Sequence, residues 1–217
     1  MVKTGEKRRA GIFLILALLC ALAAYLALRA PQRSYSNADF GIETYKSPAD
    51  ADGDGTDDQT DLLESARAYV ATAPKYKSAY YDGGWPDDGC GVCTDVVACA
   101  MRGAGYDLRA LVDADIRSDP DAYGISAPDS NIDYRRVRNL AVYFARHAEK
   151  LTDDVSDIAE WQGGDIVIFA GHIAVVSDLR NRKGAAYIIH HANPAQTRYE
   201  EDALVRCGKV EGHYRIG

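Results

Sequence analysis

Gly164-Asp165-Ile166-Val167-Ile168-Phe169, running into His172-Ile173-Ala174-Val175-Val176, decides how this chain is read. An unbroken apolar run after a Gly-Asp turn describes a strand buried on both faces, and a second strand follows that begins with histidine. Upstream, Gly89-Cys90-Gly91-Val92-Cys93-Thr94-Asp95-Val96-Val97 places a cysteine where a helix opens. Downstream, Tyr187-Ile188-Ile189-His190-His191 is a further strand with polar residues at its end. Cysteine, histidine and a second polar group in this order are a nucleophile, a base and an orienting residue that converge only after folding.

Working outward, residues 61–72 have the 3.6-residue spacing of a first helix, with Leu62, Leu63, Ala66, Tyr69 and Val70 on one face. A Gly/Asp/Pro-rich loop covers Asp82–Val92. A helix over Thr94–Arg102 is stopped by Gly103, and a short one covers Leu108–Ile116. Ser130-x-x-Asp133 has the form of a capping box opening a helix to Lys150. After Trp161 the pattern turns to strands at Asp165–Phe169, His172–Ser177, Ala186–His191 and Gly212–Ile216. Helices first and an antiparallel sheet afterwards predict an α+β fold.

Residues 11–28 are an uninterrupted apolar run, long enough to span a bilayer as a helix. Lys3, Lys7, Arg8 and Arg9 precede it and only Arg29 and Arg33 follow closely. The charge bias therefore predicts a cytoplasmic segment 1–10, a transmembrane anchor 11–28 and an extracytoplasmic remainder. Ala21-Leu22-Ala23 is a weak cleavage site, so a removed signal peptide is the rival. Residues 29–49 read as a linker, 50–61 as an acidic loop, and 62–217 as the folded domain. The chain has a net charge of −7, and residues 35–217 carry −12 of it against +5 at the N-terminus. Nucleic acid is not expected as a partner, since it requires basic patches that displace counterions.

Cys93 stands where unpaired helix N–H groups and the positive end of the dipole favour thiolate, and its own N–H is placed to assist an oxyanion. Alone, such a cysteine is more often a small buried hydrophobe. Cys90-x-x-Cys93 also admits a thiol-redox pair, or half of a zinc site completed by His190-His191. The redox reading lacks a preceding strand; in the zinc reading adjacent strand residues face opposite ways. His172 is the candidate base. His190, or His191 if the register is one off, would orient it.

These residues carry a resemblance. Tyr80-Tyr81-Asp82-Gly83-Gly84, Cys93-Thr94, Gly164-Asp165-Ile166-Val167, His172-Ile173-Ala174-Val175 and Ile188-Ile189-His190 resemble the NlpC-type papain-like cell-wall cysteine peptidases. Gly91-Val-Cys-Thr-Asp-Val-Val, Pro128-Asp-Ser-Asn-Ile-Asp-Tyr-Arg-Arg-Val and Gly212-His-Tyr-Arg resemble more closely the bacterial family called domain of unknown function 1287. The resemblance implies a papain-like NlpC-type fold, with nucleophile Cys93, base His172, orienting residue His190, and Tyr80 lining the nucleophile. Val92, Thr94 and Ala174 depart from the Asp, Ser and Gly of the peptidase pattern. It implies peptidoglycan stem peptides as substrate and no catalytic cofactor.

Asn131, Asp133, Arg135 and Arg136 cluster at a helix start. Either they cap it and solvate its face, or an arginine fork binds a substrate carboxylate. Asp50, Asp52, Asp54, Gly55, Thr56, Asp58 and Asp61 fall at positions 1, 3, 5, 6, 7, 9 and 12 of an EF-hand-type loop. Asp50, Asp52, Asp54, Thr56, Asp58 and Asp61 are thus the candidate ligands of a structural calcium ion; an acidic linker is the alternative. The sequence therefore predicts a membrane-anchored extracytoplasmic cysteine hydrolase. A non-catalytic wall- or calcium-binding module, and a redox protein using Cys90 and Cys93, are the competing classes.

Overall fold

The computed structural model describes residues 12, 13, 15–23, 25 and 33–217. Asp57 starts the first long helix by accepting the Thr60 N–H on its side chain, and α1 (Asp58–Ala71) buries Leu62, Leu63 and Ala66. A two-residue parallel pair, β1 (Lys75–Tyr76) and β2 (Cys90–Gly91), leads into α2 (Cys93–Gly103). Then come α3 (Leu108–Ser118), the short α4 (Pro120–Tyr123) and α5 (Val137–His147). The strands β3 (Glu149–Lys150), β4 (Ile166–Phe169), β5 (His172–Arg180), β6 (Ala186–Ile189), β7 (Glu200–Glu201) and β8 (Val210–Arg215) complete the domain. They form one antiparallel sheet in the order β3-β8-β4-β5-β6-β7. The fold is α+β, with the helices first.

Both faces of this sheet are covered, which is why its central strands read as continuous apolar runs. Ile166, Ile168, Ile173, Val175 and Ile189 pack with Leu62, Val96, Val97 and Phe144 on the helical face. Val167, Phe169, Ala174, Val176 and Ile188 pack with Trp161, Leu204 and Val210 on the other. Ala170 and Gly171 close the β4–β5 hairpin, where Gly171 takes φ 70° and Phe169 pairs with His172. The turn therefore fixes His172 as the first residue of β5.

Three expectations need correction. The capping box does not form, because the Asp133 carboxylate turns back to the Asp129 N–H while Ser130 faces Arg109. Asp133–Arg135 is a short 3-10 turn, Arg136 is extended, and α5 opens only at Val137. Residues 34–49 are not a free tether. Tyr35 exchanges both backbone hydrogen bonds with Arg180 (2.9 and 2.7 Å) and Asn37 is buried against Gln162. The fully buried Arg180 guanidinium donates to Asn37 Oδ1 and to the carbonyls of Ile158, Trp161 and Gly184, so docking this segment satisfies a buried cation. Ser34–Gly217 accordingly form one compact unit. In the N-terminal unit, residues 12, 13, 15–23 and 25 are helical, and the expected cytoplasmic segment 1–10 lies outside the described residues. Among the described residues no helix is long and apolar enough to cross a membrane.

Candidate active site

Cys93 is the first residue of α2. Val92, at the N-cap, offers no side-chain acceptor, and the Asp95 carboxylate takes the Val92 N–H instead at 2.8 Å. The helix start is therefore pinned from the third position of its first turn, which leaves the N-terminal N–H groups beside the sulfur unblocked. The backbone N–H groups of Ile173 and Thr94, and that of Cys93 itself, act on the sulfur to favour its thiolate. Ile173 follows His172 on β5, so this influence on the sulfur comes from the strand that the histidine opens. No hydrogen bond joins the sulfur to the His172 ring among the described residues.

His172 and His190 lie on the same face of neighbouring strands, with His172 Nε2 2.8 Å from His190 Nδ1. The other nitrogen of His190 lies 3.1 Å from Glu201 Oε1, presented by β7. A carboxylate only accepts, so the His190 proton belongs on Nε2 and its Nδ1 is a lone pair. That lone pair in turn requires the proton of neutral His172 on Nε2. The Glu201–His190–His172 series thus leaves Nδ1 of His172 as the free base. Glu201 was not found by sequence reasoning, because the loop between β6 and β7 hides its spacing from His190.

Burial, and the neighbouring His190, push His172 down to about 4, while burial pushes the Cys93 thiol up despite the N–H groups around it. The expected lowering of Cys93 by the helix terminus is therefore overturned, since desolvation and the nearby Asp95 charge outweigh the dipole. The resting pair is neutral thiol and neutral imidazole. In the unfolded chain His172 titrates near 6.5, so on acidification the unfolded state takes up a proton first. Stability contributed by this site is present above pH 6.5 and declines towards pH 4, by up to about 3 kcal/mol. Urea unfolding at pH 7.5 and 4.5 should show that decline, and His172→Gln should flatten it. An unchanged slope in the variant would remove this assignment.

The remaining predicted residues are dispersed. Arg135 is buried in a bidentate pair with Asp95 (2.8 and 2.9 Å) and donates to the Ala79 carbonyl. It is not free to bind a substrate carboxylate. Arg136, whose side chain is 44% exposed, pairs with Asp133 at 3.2 Å and remains open to solvent. Asn131 accepts from Arg109 and donates to the hydroxyl of Tyr80, which is 57% exposed. Asn131 and Arg135 thus hold the loop that carries Tyr80. His191 points to the helical face, edge-on to Tyr76 and Tyr199, with its buried Nδ1 unpartnered. The register therefore gives His190, and not His191, to His172. Cys90, Cys93, Cys99 and Cys207 are all free thiols.

A family model described as domain of unknown function (DUF1287) matches residues 63–216. The chain belongs to this family. An Escherichia coli K12 protein described as "Uncharacterized protein YijF" is 37% identical over 167 residues, covering 71% of this chain and 80% of its own. No solved structure matches. Segments within the matched span that are far apart in sequence meet as pairs: Asp95 beside Cys93 with Arg135, and Asp165 of the Gly-Asp turn with His213 and Arg215.

The aspartate loop precedes the matched span. Asp50 accepts from the N–H groups of Gly53, Asp54 and Gly55, Asp52 from Asp54, and Asp54 from Thr56. One carboxylate oxygen of each of Asp50, Asp52 and Asp54 lies within 4.8 Å of the others. Asp61 is raised by burial and by the charges of Asp54, Asp52 and Asp50, and its Oδ2 is buried without a partner. Asp58 departs from the expectation. It is fully buried, and its oxygens are taken by the Ala51 N–H and the Tyr106 hydroxyl.

Proposed function

We propose that this protein is a membrane-anchored, extracytoplasmic cysteine hydrolase of papain-like NlpC-type fold that cuts amide bonds in peptidoglycan stem peptides. The observation that carries the reading is the Glu201–His190–His172 hydrogen-bond series, which leaves Nδ1 of His172 as the free base on the strand whose next residue, Ile173, acts on the Cys93 thiol through its backbone N–H. In this mechanism His172 takes the thiol proton as sulfur attacks the amide carbonyl, then gives it to the leaving amine. Water releases the acyl group from sulfur with the same histidine as base. Glu201 and His190 hold the imidazole tautomer throughout. The substrate class comes from the resemblance of the cysteine and histidine motifs to wall peptidases. Incubating the full-length chain with purified wall fragments should release a new amine and carboxylate, detected as a mass gain of one water per cut. Intact fragments after prolonged incubation would count against the proposal.

The topology rests on the apolar run 11–28 and its basic flank. Protease added to spheroplasts should digest the domain, and protection of it while an outer marker is cut would reverse the assignment.

Calcium at the aspartate loop is supported by the converging carboxylates of Asp50, Asp52 and Asp54 and by the raised, unpartnered Asp61. Thr56 would add its carbonyl, and Asp58 would act only through the structure around it. An ion bound to the folded state alone stabilises it by mass action, by about 2.7 kcal/mol at a hundredfold excess over Kd. Millimolar calcium should therefore raise Tm by several degrees, an effect lost in Asp50→Asn. An unmoved Tm with no binding heat would remove the ion.

A further inference from the structure

We infer that His172, His190 and Cys207 form a binding site for one borderline-soft divalent cation of the zinc class, with Glu201 as the outer partner of His190. The thiol that faces the histidine pair from the same side of the sheet is Cys207. It packs against the core of Val167, Phe169 and Ala174, whereas Cys93 packs against the helical core. One ligand atom from each of His172, His190 and Cys207 lies within 4.8 Å of the other two. Two imidazole nitrogens and a thiolate are the donor set zinc prefers, at about 2.0–2.1 Å and 2.3 Å. Tetrahedral ligation places two bound nitrogens about 3.3 Å apart, so the 2.8 Å contact between His172 and His190 has only to open by a fraction of an ångström.

The surroundings are those of a metal-ligating histidine. His190 donates its far N–H to the Glu201 carboxylate, which fixes the tautomer whose Nδ1 lone pair faces the site. Glu201 is itself held by Arg206 at 3.1 Å. Three protein ligands leave a fourth position for water. Binding displaces the thiol proton of Cys207 to solvent. It also exchanges the tautomer of His172, whose Nε2 ligates while Nδ1 takes a proton from solvent. His172 then has no lone pair towards Cys93. The ion would hold the hydrolase off, a consequence that rests on the function proposed above, while binding itself does not.

Cobalt(II) reports the ligand set directly, because thiolate coordination produces a charge-transfer band that oxygen ligands do not. The full-length chain should take up one cobalt with that band, and zinc should displace it. Cys93→Ser should keep band and affinity. Cys207→Ser should lose the band and at least a hundredfold in affinity, and Glu201→Gln should lose about 10–100-fold. In the unmutated chain, zinc should protect Cys207 from iodoacetamide at a peptide resolved by mass spectrometry, which tests the site even if a variant folds poorly. No thiolate band with micromolar cobalt, or a band lost in Cys93→Ser and kept in Cys207→Ser, would overturn the site. Uptake with the expected band in a chain that cuts no wall fragment would leave the site standing and sink only the hydrolase.

Discussion

Cys93→Ala is expected to abolish cleavage of wall peptides, with a loss of at least about 10⁴-fold, while the domain stays folded. His172→Ala should lose a comparable amount, and the double variant little more, since nucleophile and base act as one unit. Because the resting thiol is raised and the imidazole is held at about 4, catalysis draws on a neutral pair and not on a preformed ion pair. Alkylation of Cys93 should therefore be slow at neutral pH and rise with pH. His190→Ala and Glu201→Ala should be milder than His172→Ala, as each acts only through the tautomer of the next ring. Two controls discriminate. Cys90→Ser should retain activity, which separates a lone nucleophile from a redox pair. His191→Ala tests a histidine that points to the helical face, where Cys93 packs. If His191→Ala abolished cleavage while His172→Ala cut normally, the base would be assigned to the wrong histidine.

Much of this site was legible because its signals are local. An apolar run between a Gly-Asp turn and a histidine identifies a central strand without any tertiary information, and a cysteine before Thr-Asp-Val-Val marks a helix start. Partners contributed by distant segments were not legible. Arg135 reads as an exposed helix-cap arginine, and only the fold brings Asp95 to it. Glu201 and Cys207 lie on or beside a two-residue strand and a loop with no periodicity, so nothing marked them as neighbours of His172. Residues 34–49 read as a tether because their polar residues are satisfied by a buried arginine 143 positions from Asn37. Charge near the sulfur was misjudged for a related reason. The helix dipole is a local feature, whereas burial of Cys93 is a property of the whole domain.

Asp165→Ala should cost about 3–5 kcal/mol, enough to unfold much of the population at moderate urea. The carboxylate is fully buried and accepts from five donors. They are Arg215 Nε and Nη2 at 2.8 and 2.9 Å, Gln59 Nε2 at 2.8 Å, the Gln162 N–H at 2.9 Å, and His213 Nε2 at 3.0 Å. It ties α1, the turn before β4, and β8 to one point. Gly164 beside it has φ 96°, and a Cβ there would lie 2.3 Å from the Gln59 carbonyl oxygen, so the turn is built to bring α1 against this carboxylate. Removing the acceptor strands a buried guanidinium over Tyr45 and leaves His213, stacked 3.8 Å from Trp161, with only the Thr152 carbonyl as a partner. Arg215→Met should be less costly, because it removes the cation along with its need for a partner and leaves three donors on Asp165, from Gln59, Gln162 and His213. Urea denaturation of both variants decides the matter. A loss below about 1 kcal/mol in Asp165→Ala would mean that the sheet and α1 are held by apolar packing alone.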